Sequence, residues 1–186
     1  YPNDPKCFNY RGIMYLYYTK EYEKAIADFN QCIEIDSAYT KAYGNLATTY
    51  LKQEKYDKSL ANFSKAIELD KENPERYNYR ADCYIAMEKY TDALKDLDKA
   101  IDLTPEDPYY YNNRADFYEN QENYDEALKD YATAMEISTD DYQSMRAITN
   151  RANIYWEQEK LELSIEEYTK GLLIQEHPIL YENRAD

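Results

Sequence analysis

The chain has 186 residues and a net charge of −15, and only 31 of its residues are Leu, Ile, Val or Phe, a composition typical of disordered chains. Against disorder stand 24 Tyr, whose rings bury about as much apolar surface as Phe does. The absence of Val and the presence of only three Gly exclude a β-sandwich or barrel, and the acidic balance disfavours nucleic acid and anionic membranes as partners.

A small residue followed three positions later by Tyr recurs along the chain. It occurs five times, at Gly12 and Tyr15, Ala47 and Tyr50, Ala81 and Tyr84, Ala115 and Tyr118, and Ala152 and Tyr155. Later in each unit a small residue precedes a ring or Leu by four positions, at Ala25 and Phe29, Ser59 and Phe63, Ala93 and Leu97, Ala127 and Tyr131, and Ser164 and Tyr168. The second series steps by 34, 34, 34 and 37 residues, which indicates a tandem repeat.

Each unit predicts two helices, because its apolar and small residues are spaced by three and four positions. Pro74 and Pro108 fall between units, where a proline can open the next helix. We expect Asp57, Thr91 and Asp125 to cap the second helices. The expected units span residues 5–39, 40–73, 74–107, 108–141 and 145–177, with a partial sixth at 178–186 that carries Tyr181 and Ala185.

Two units depart from the common spacing. Gly12 and Ala25 are 13 residues apart, whereas the corresponding Ala47 and Ser59 are 12 apart. Three extra residues near Tyr142 separate the fourth and fifth units. We predict altered packing or a lengthened helix at that junction.

The recurring slots resemble those of the tetratricopeptide repeat family, over essentially residues 5–186. Of the 24 Tyr, 15 occupy slots of the repeat, so most Tyr should form the core. The resemblance implies an all-α, right-handed α-solenoid of tandem helix hairpins, which we expect to be a single domain over residues 1–186. It also implies that the first helix of each hairpin lines a concave groove that holds a peptide or a partner helix.

Polar residues and one Trp on the first helices are the candidate groove residues. They are Asn45, Asn78, Asp82, Asn112, Asn113, Asp116, Glu119, Asn150, Asn153, Trp156 and Glu157. Asn45, Asn113, Asn150 and Asn183 share one slot, where a carboxamide could pair with the backbone of an extended peptide. Alternatively, these amides bond to a neighbouring helix or to water.

Two further features of the first helices allow more than one role. Trp156 is either an anchor for a partner or part of the packing at the irregular junction. Arginines precede the small residue in most units, at Arg11, Arg80, Arg114, Arg151 and Arg184. We predict that they are structural and reach a carboxylate in the adjacent unit.

The sequence carries little that suggests catalysis. The single His, His177, stands at a predicted helix end, and no two Gly are close enough for a phosphate-binding loop. Cys7, Cys32 and Cys83 lack the spacing of a zinc site and suit a reducing compartment. We therefore expect no catalytic residue, metal or cofactor, and a cytoplasmic protein.

The functional expectation is a non-catalytic scaffold that binds a neutral or basic protein or peptide in its groove. Two alternatives remain: a module that associates with itself, or a segment that recruits substrate within a longer enzyme. The composition predicts neither binding of nucleic acid nor insertion into a membrane.

Overall fold

The computed structural model describes residues 4–175, and they form helices joined by short turns. The helices are α1 (Pro5–Met14), which continues into a π-helical turn (Tyr15–Thr19), α2 (Tyr22–Ile35), α3 (Thr40–Lys52), α4 (Tyr56–Leu69), α5 (Pro74–Ala86), α6 (Tyr90–Leu103), α7 (Pro108–Asn120), α8 (Tyr124–Ile137), α9 (Asp141–Glu157) and α10 (Leu161–Gln175). The predicted all-α class is confirmed. His177 and the partial sixth unit lie outside the described residues.

Consecutive helices pair into five hairpins, which fall into two compact units that divide between Leu103 and Thr104. The N-terminal unit holds the hairpins α1–α2, α3–α4 and α5–α6. The C-terminal unit holds α7–α8 and α9–α10.

The small-residue slots of the repeat form the centre of each hairpin. The small residues of these slots are fully buried at Ala25, Ala47, Ala81, Ala93, Ala115, Ala127 and Ala152. Among the slot Tyr in residues 4–175, by contrast, only Tyr77 and Tyr131 are buried, so the expectation that most Tyr form the core was wrong. Phe29, Phe63 and Tyr131 fill the spaces between the helices and are at most 1% exposed. Burying one such ring contributes about 1.5–3 kcal/mol, so the aromatic slots carry much of the stability of a chain that is poor in aliphatic residues.

The turn inside the second to fifth hairpins uses a glutamate where a glycine is usual, and the first hairpin uses Lys20, with φ 57°. Glu54, Glu88, Glu122 and Glu159 have φ between 56° and 59°, in the left-handed region. The N–H after each of them bonds back to the carbonyl of the repeated Tyr, as from Asn123 to Tyr118 at 2.9 Å. This is a Schellman motif, which satisfies the last carbonyls of the first helix.

The predicted caps of the second helices were wrong by two residues, because the N-caps of α4 and α8 are Lys55 and Asn123. The second helices begin at the turn tyrosines, so Asp57 and Asp125 lie inside the first turn of α4 and α8. There they face the positive end of the helix dipole. Thr91 likewise lies within α6.

Both irregular spacings have a structural counterpart. The π-helical turn accommodates the extra residue of the first hairpin. The Glu21 N–H after this turn donates to the Tyr15 carbonyl at 2.9 Å. The junction helix α9 has 17 residues, against 13 in α3, α5 and α7. The predicted lengthening is confirmed, and α9 begins at Asp141, ahead of the expected residue 145.

The repeated arginines form ion pairs inside their own hairpins, which corrects the expectation that they reach the adjacent unit. The pairs are Arg11 with Asp28 at 2.6 Å, Arg80 with Asp96 at 2.7 Å, Arg114 with Asp130 at 2.7 Å, and Arg151 with Glu167 at 3.3 Å. In the second hairpin the corresponding residues are Leu46 and Asn62, so both charges are replaced together.

Candidate peptide-binding surface

The first helices of the N-terminal unit enclose an open cleft of about 310 Å³. We call it the tyrosine cleft and define it by six of its lining residues: Tyr10, Ile13, Tyr17, Gly44, Thr48 and Tyr79. These residues come from α1 and its π-helical turn, from α3 and from α5. Three first helices thus contribute to one concave surface, as the resemblance implies.

Gly44 forms part of the floor of the cleft and leaves unfilled space above it. A Cβ atom placed on this glycine would meet nothing within 4 Å. The Thr48 hydroxyl donates back to the Gly44 carbonyl at 3.0 Å, so it satisfies its own helix. Beside them, Asn45 Nδ2 donates to Asn9 Oδ1 at 2.9 Å and ties α3 to α1. The Asn45 amide is therefore partly engaged within the protein.

Charges around the cleft nearly cancel. Lys41 and Glu75 are exposed residues of its lining. Arg76 also lines it, but its guanidinium is buried and donates to Asp70 Oδ2 at 2.8 Å. Burial, together with the charge of Glu75, raises the pKa of Tyr17, which keeps this hydroxyl protonated as a donor.

Two predicted groove residues on α5 differ in exposure. Asn78 is only 3% exposed, whereas Asp82 is exposed. The protein surrounding the Asp82 carboxylate displaces part of its water and raises its pKa to about 6. A carboxylate of this kind attracts a cation from a partner at neutral pH and loses that attraction in mild acid.

In the C-terminal unit, Asp116 is the centre of a polar network between α7, α8 and α9. It accepts hydrogen bonds from Asn150 Nδ2 at 3.0 Å and from the Tyr131 hydroxyl at 2.5 Å, and it pairs with Arg146. Asn113 accepts a bond from Arg146 at 2.9 Å. Asp116, Asn113 and Asn150 thus bond to neighbouring helices, the alternative role considered for these amides.

The buried Tyr131 hydroxyl lies between two carboxylates. Its oxygen is 2.5 Å from Asp116 Oδ1 and 2.6 Å from Glu119 Oε2, and it accepts a bond from Asn150. A phenol carries one proton, so both short contacts are satisfied only when one carboxyl is protonated. Burial raises the pKa of Glu119, whereas Asp116 has a cationic partner in Arg146.

The other predicted groove residues of this unit range from fully buried to exposed. Asn112 is fully buried and donates to Gln143 Oε1 at 2.9 Å. Asn153 accepts a bond from the Tyr168 hydroxyl at 2.5 Å, and Glu157 accepts one from Tyr124 at 2.9 Å. Both are exposed residues.

Trp156 is 65% exposed, so most of its indole is open to solvent rather than packed at the junction. This exposure fits the anchor role better than the packing role.

Sequence reasoning missed the aromatic lining of the tyrosine cleft. Tyr10 and Tyr79 occupy the slot that holds Asn45, Asn113 and Asn150 in other units. They are 64% and 36% exposed. The sequence signal was that both Tyr stand outside the core slots of the repeat, although position alone does not decide exposure, since Tyr110 also stands outside these slots and is only 4% exposed.

Residues 4–175 contain neither a membrane-spanning helix nor a metal site. None of their helices combines the length and apolarity needed to span a bilayer, and no three His, Cys, Asp or Glu side chains among them are arranged to hold a metal ion. Cys7 is exposed, Cys32 and Cys83 are buried, and all three are free thiols.

Comparison with known families supports the repeat assignment. Models described as tetratricopeptide repeat match residues 14–39, 40–73 and 108–176, and a model described as TPR repeat matches residues 81–122. Comparison with curated protein sequences finds no significant match.

Solved structures of similar fold include tetratricopeptide repeat proteins. MamA has a TM-score of 0.72 at 17% identity, covering 87% of this chain and 92% of its own. YrrB, titled a TPR protein with an unusual peptide-binding site, has a TM-score of 0.65 at 22% identity, covering 100% and 94%. PilF of Pseudomonas aeruginosa has a TM-score of 0.73 at 16% identity, covering 90% and 76%. These likenesses establish the fold.

Proposed function

The chain belongs to the tetratricopeptide repeat family, and from this we propose that it is a non-catalytic scaffold that binds a peptide or an extended protein segment along the first helices of its hairpins. The tyrosine cleft is the observation that carries the proposal. Its lining comes from three first helices, and its floor at Gly44 is open. Such a surface admits a ligand without rearrangement of the core.

The Asn45 amide on α3 supports peptide binding through the ligand backbone. A carboxamide has two N–H donors and one acceptor, and Asn45 uses one donor for Asn9. The remaining donor and the oxygen suit the carbonyl and N–H of an extended chain. YrrB, of similar fold, is described as having a peptide-binding site, and our proposal gives this chain the same class of ligand.

The accessible carboxylates favour a neutral or basic partner. Asp82 and Glu157 are exposed, whereas Asp116 is neutralised by Arg146. The net charge of −15 would also steer a cationic segment toward the protein and repel nucleic acid.

A display selection tests this function. A library of random dodecapeptides would be selected on the immobilised protein, and the enriched peptides would be measured by calorimetry. We expect Asp82→Lys and Glu157→Lys to weaken basic peptides and to lower the salt dependence of their binding. Glu106→Lys, in the exposed turn between α6 and α7, is the matched control. Enrichment of no peptide, or equal binding to all three variants, would contradict the proposal.

Self-association is a second candidate, favoured by an exposed apolar stripe on α10. Leu161, Ile165, Tyr168 and Leu172 lie on one helix face and are 56%, 66%, 37% and 61% exposed. Their counterparts on α8, Tyr124, Leu128, Tyr131 and Met135, pack into the core beneath α9. Sedimentation velocity at increasing protein concentration would show association, and a constant monomer would refute it.

Three further expectations remain part of the proposal. The family is one of scaffolds, which supports the absence of catalysis. Three free thiols suit a reducing cytoplasm. A role as the substrate-recruiting segment of a longer enzyme would be tested on the full-length gene product.

A further inference from the structure

The tyrosine cleft differs chemically from the repeat surfaces around it. Its rings come from Tyr10, Tyr17 and Tyr79, which are 64%, 50% and 36% exposed. None of the three occupies a core slot of the repeat. Tyr17 is in the π-helical turn, which only the first of the described hairpins contains. The extra residue of that hairpin therefore adds a ring to the cleft.

The rings are spaced for a ligand in an extended left-handed conformation. Tyr10 and Tyr17 are seven residues apart along α1 and its π-helical turn, a rise of about 10 Å. A polyproline II helix repeats every three residues, or about 9.3 Å. Two rings at this separation can each hold one turn of such a helix, and the open floor at Gly44 leaves room for the chain between them.

The polar groups of the cleft also suit a ligand that is rich in carbonyls and poor in N–H groups. Tyrosine hydroxyls and the Lys41 ammonium are donors, and Lys41 lines the cleft with the tyrosines. Proline has no N–H, and in polyproline II every carbonyl points to solvent. Binding therefore leaves few ligand donors unsatisfied. The opposite charges of Lys41 and Glu75 give little preference for a charged ligand.

We infer that the tyrosine cleft of the N-terminal unit binds a proline-rich segment in the polyproline II conformation. This inference rests on the proposed function and names its ligand. Proline rings stack on Tyr10 and Tyr17, and the hydroxyls of these two tyrosines donate to carbonyls of the ligand. Aromatic grooves recognise this conformation because its ordering cost is already small in the free ligand.

Calorimetric titration with a decaproline peptide tests the inference, with a Gly-Ser decapeptide as the neutral control ligand. Decaproline should bind and the Gly-Ser peptide should not. Tyr10→Ala should weaken decaproline binding at least tenfold. Tyr18→Ala is the matched control, since Tyr18 is next to Tyr17 in the π-helical turn and is 74% exposed but does not line the cleft. Its affinity should stay within twofold of the parent chain.

Gly44→Leu separates loss of binding from loss of folding. The new side chain enters open space and fills the cleft, and Leu is a far better helix former than Gly. The variant should therefore be at least as stable as the parent chain and fail to bind decaproline. Unchanged binding to Gly44→Leu, or equal binding of the two decapeptides, would overturn the inference.

The dodecapeptide selection distinguishes this failure from failure of the proposed function. If peptides without proline are enriched and lose affinity for Gly44→Leu, the cleft is a peptide site whose ligand we have misidentified. If those peptides carry Arg or Lys instead, the ligand is cationic. If no peptide is enriched and decaproline does not bind, both proposals are wrong.

Discussion

Two glycines in the first helices should respond in opposite ways to the same added methyl group. At Gly44 a Cβ meets nothing within 4 Å, so Gly44→Ala should stabilise the chain by about 0.8 kcal/mol through helix propensity. At Gly12 the Cβ would come within 2.6 Å of Phe29 Cε1 and 2.9 Å of Cδ1 and Cζ. Phe29 is fully buried and has no free space.

The two terms at Gly12 oppose each other. Overpacking costs about 1–3 kcal/mol, while the gain in helix propensity is about 1 kcal/mol. The net expectation for Gly12→Ala is a loss of about 1 kcal/mol. For a chain of this size, 1 kcal/mol corresponds to about 2–4 °C in Tm. The Tm values should therefore separate by several degrees.

Circular dichroism can follow thermal and urea unfolding of both variants under identical conditions. The double variant Gly12→Ala/Phe29→Leu serves as a control for the steric cause, because the third hairpin carries Ala81 with Leu97 in these slots. The double variant should be more stable than Gly12→Ala alone, because the smaller Leu leaves room for the added methyl group. Equal stabilisation by Gly12→Ala and Gly44→Ala would refute the packing argument.

Three further outcomes are expected. The Asp82 carboxyl should titrate near pH 6 by NMR, and a midpoint near pH 4 would contradict this. Because the raised pKa means that the charged form destabilises the folded protein, Asp82→Asn should raise Tm more at pH 8 than at pH 4.5. Glu88→Gly should stabilise by about 1 kcal/mol in urea unfolding, since φ is 57° at this position, whereas Ala61→Gly inside α4 should destabilise by about 1 kcal/mol. Arg80→Leu should cost about 3 kcal/mol because Asp96 is left buried without a partner, and Arg80→Leu/Asp96→Asn should recover most of it; no recovery would show that the ion pair is not the cause.

The helix hairpins could be predicted from sequence because their core slots repeat with helical spacing. The same spacing revealed the extra residue between Gly12 and Ala25, although not that a π-helical turn would absorb it. The left-handed turns could not be predicted, because they are held by glutamates such as Glu88 rather than by glycine. Backbone bonds to the repeated Tyr carbonyl impose that conformation.

The roles of polar side chains were harder to predict than the core. Spacing places Asp116 and Asn150 on first helices but does not show that they bond to each other. The arginine partner was also missed, since a carboxylate in the same hairpin and one in the next are equally plausible from sequence. Tyr10 and Tyr79 show the reverse case, in which a departure from the repeat marks a surface rather than an imperfection.

The ion pairs that close inside each hairpin have a consequence for how such a chain can be rearranged. When a hairpin is duplicated, removed or exchanged, the repeated arginine and its carboxylate move together, so this pair leaves no orphan charge in a neighbour. The second hairpin illustrates this independence, because it lacks both charges, with Leu46 and Asn62 in their place, and its neighbours keep theirs. The arginine pair of each hairpin therefore survives an exchange of hairpins, whereas contacts that cross between hairpins, such as Arg146 with Asp116, would have to be rebuilt.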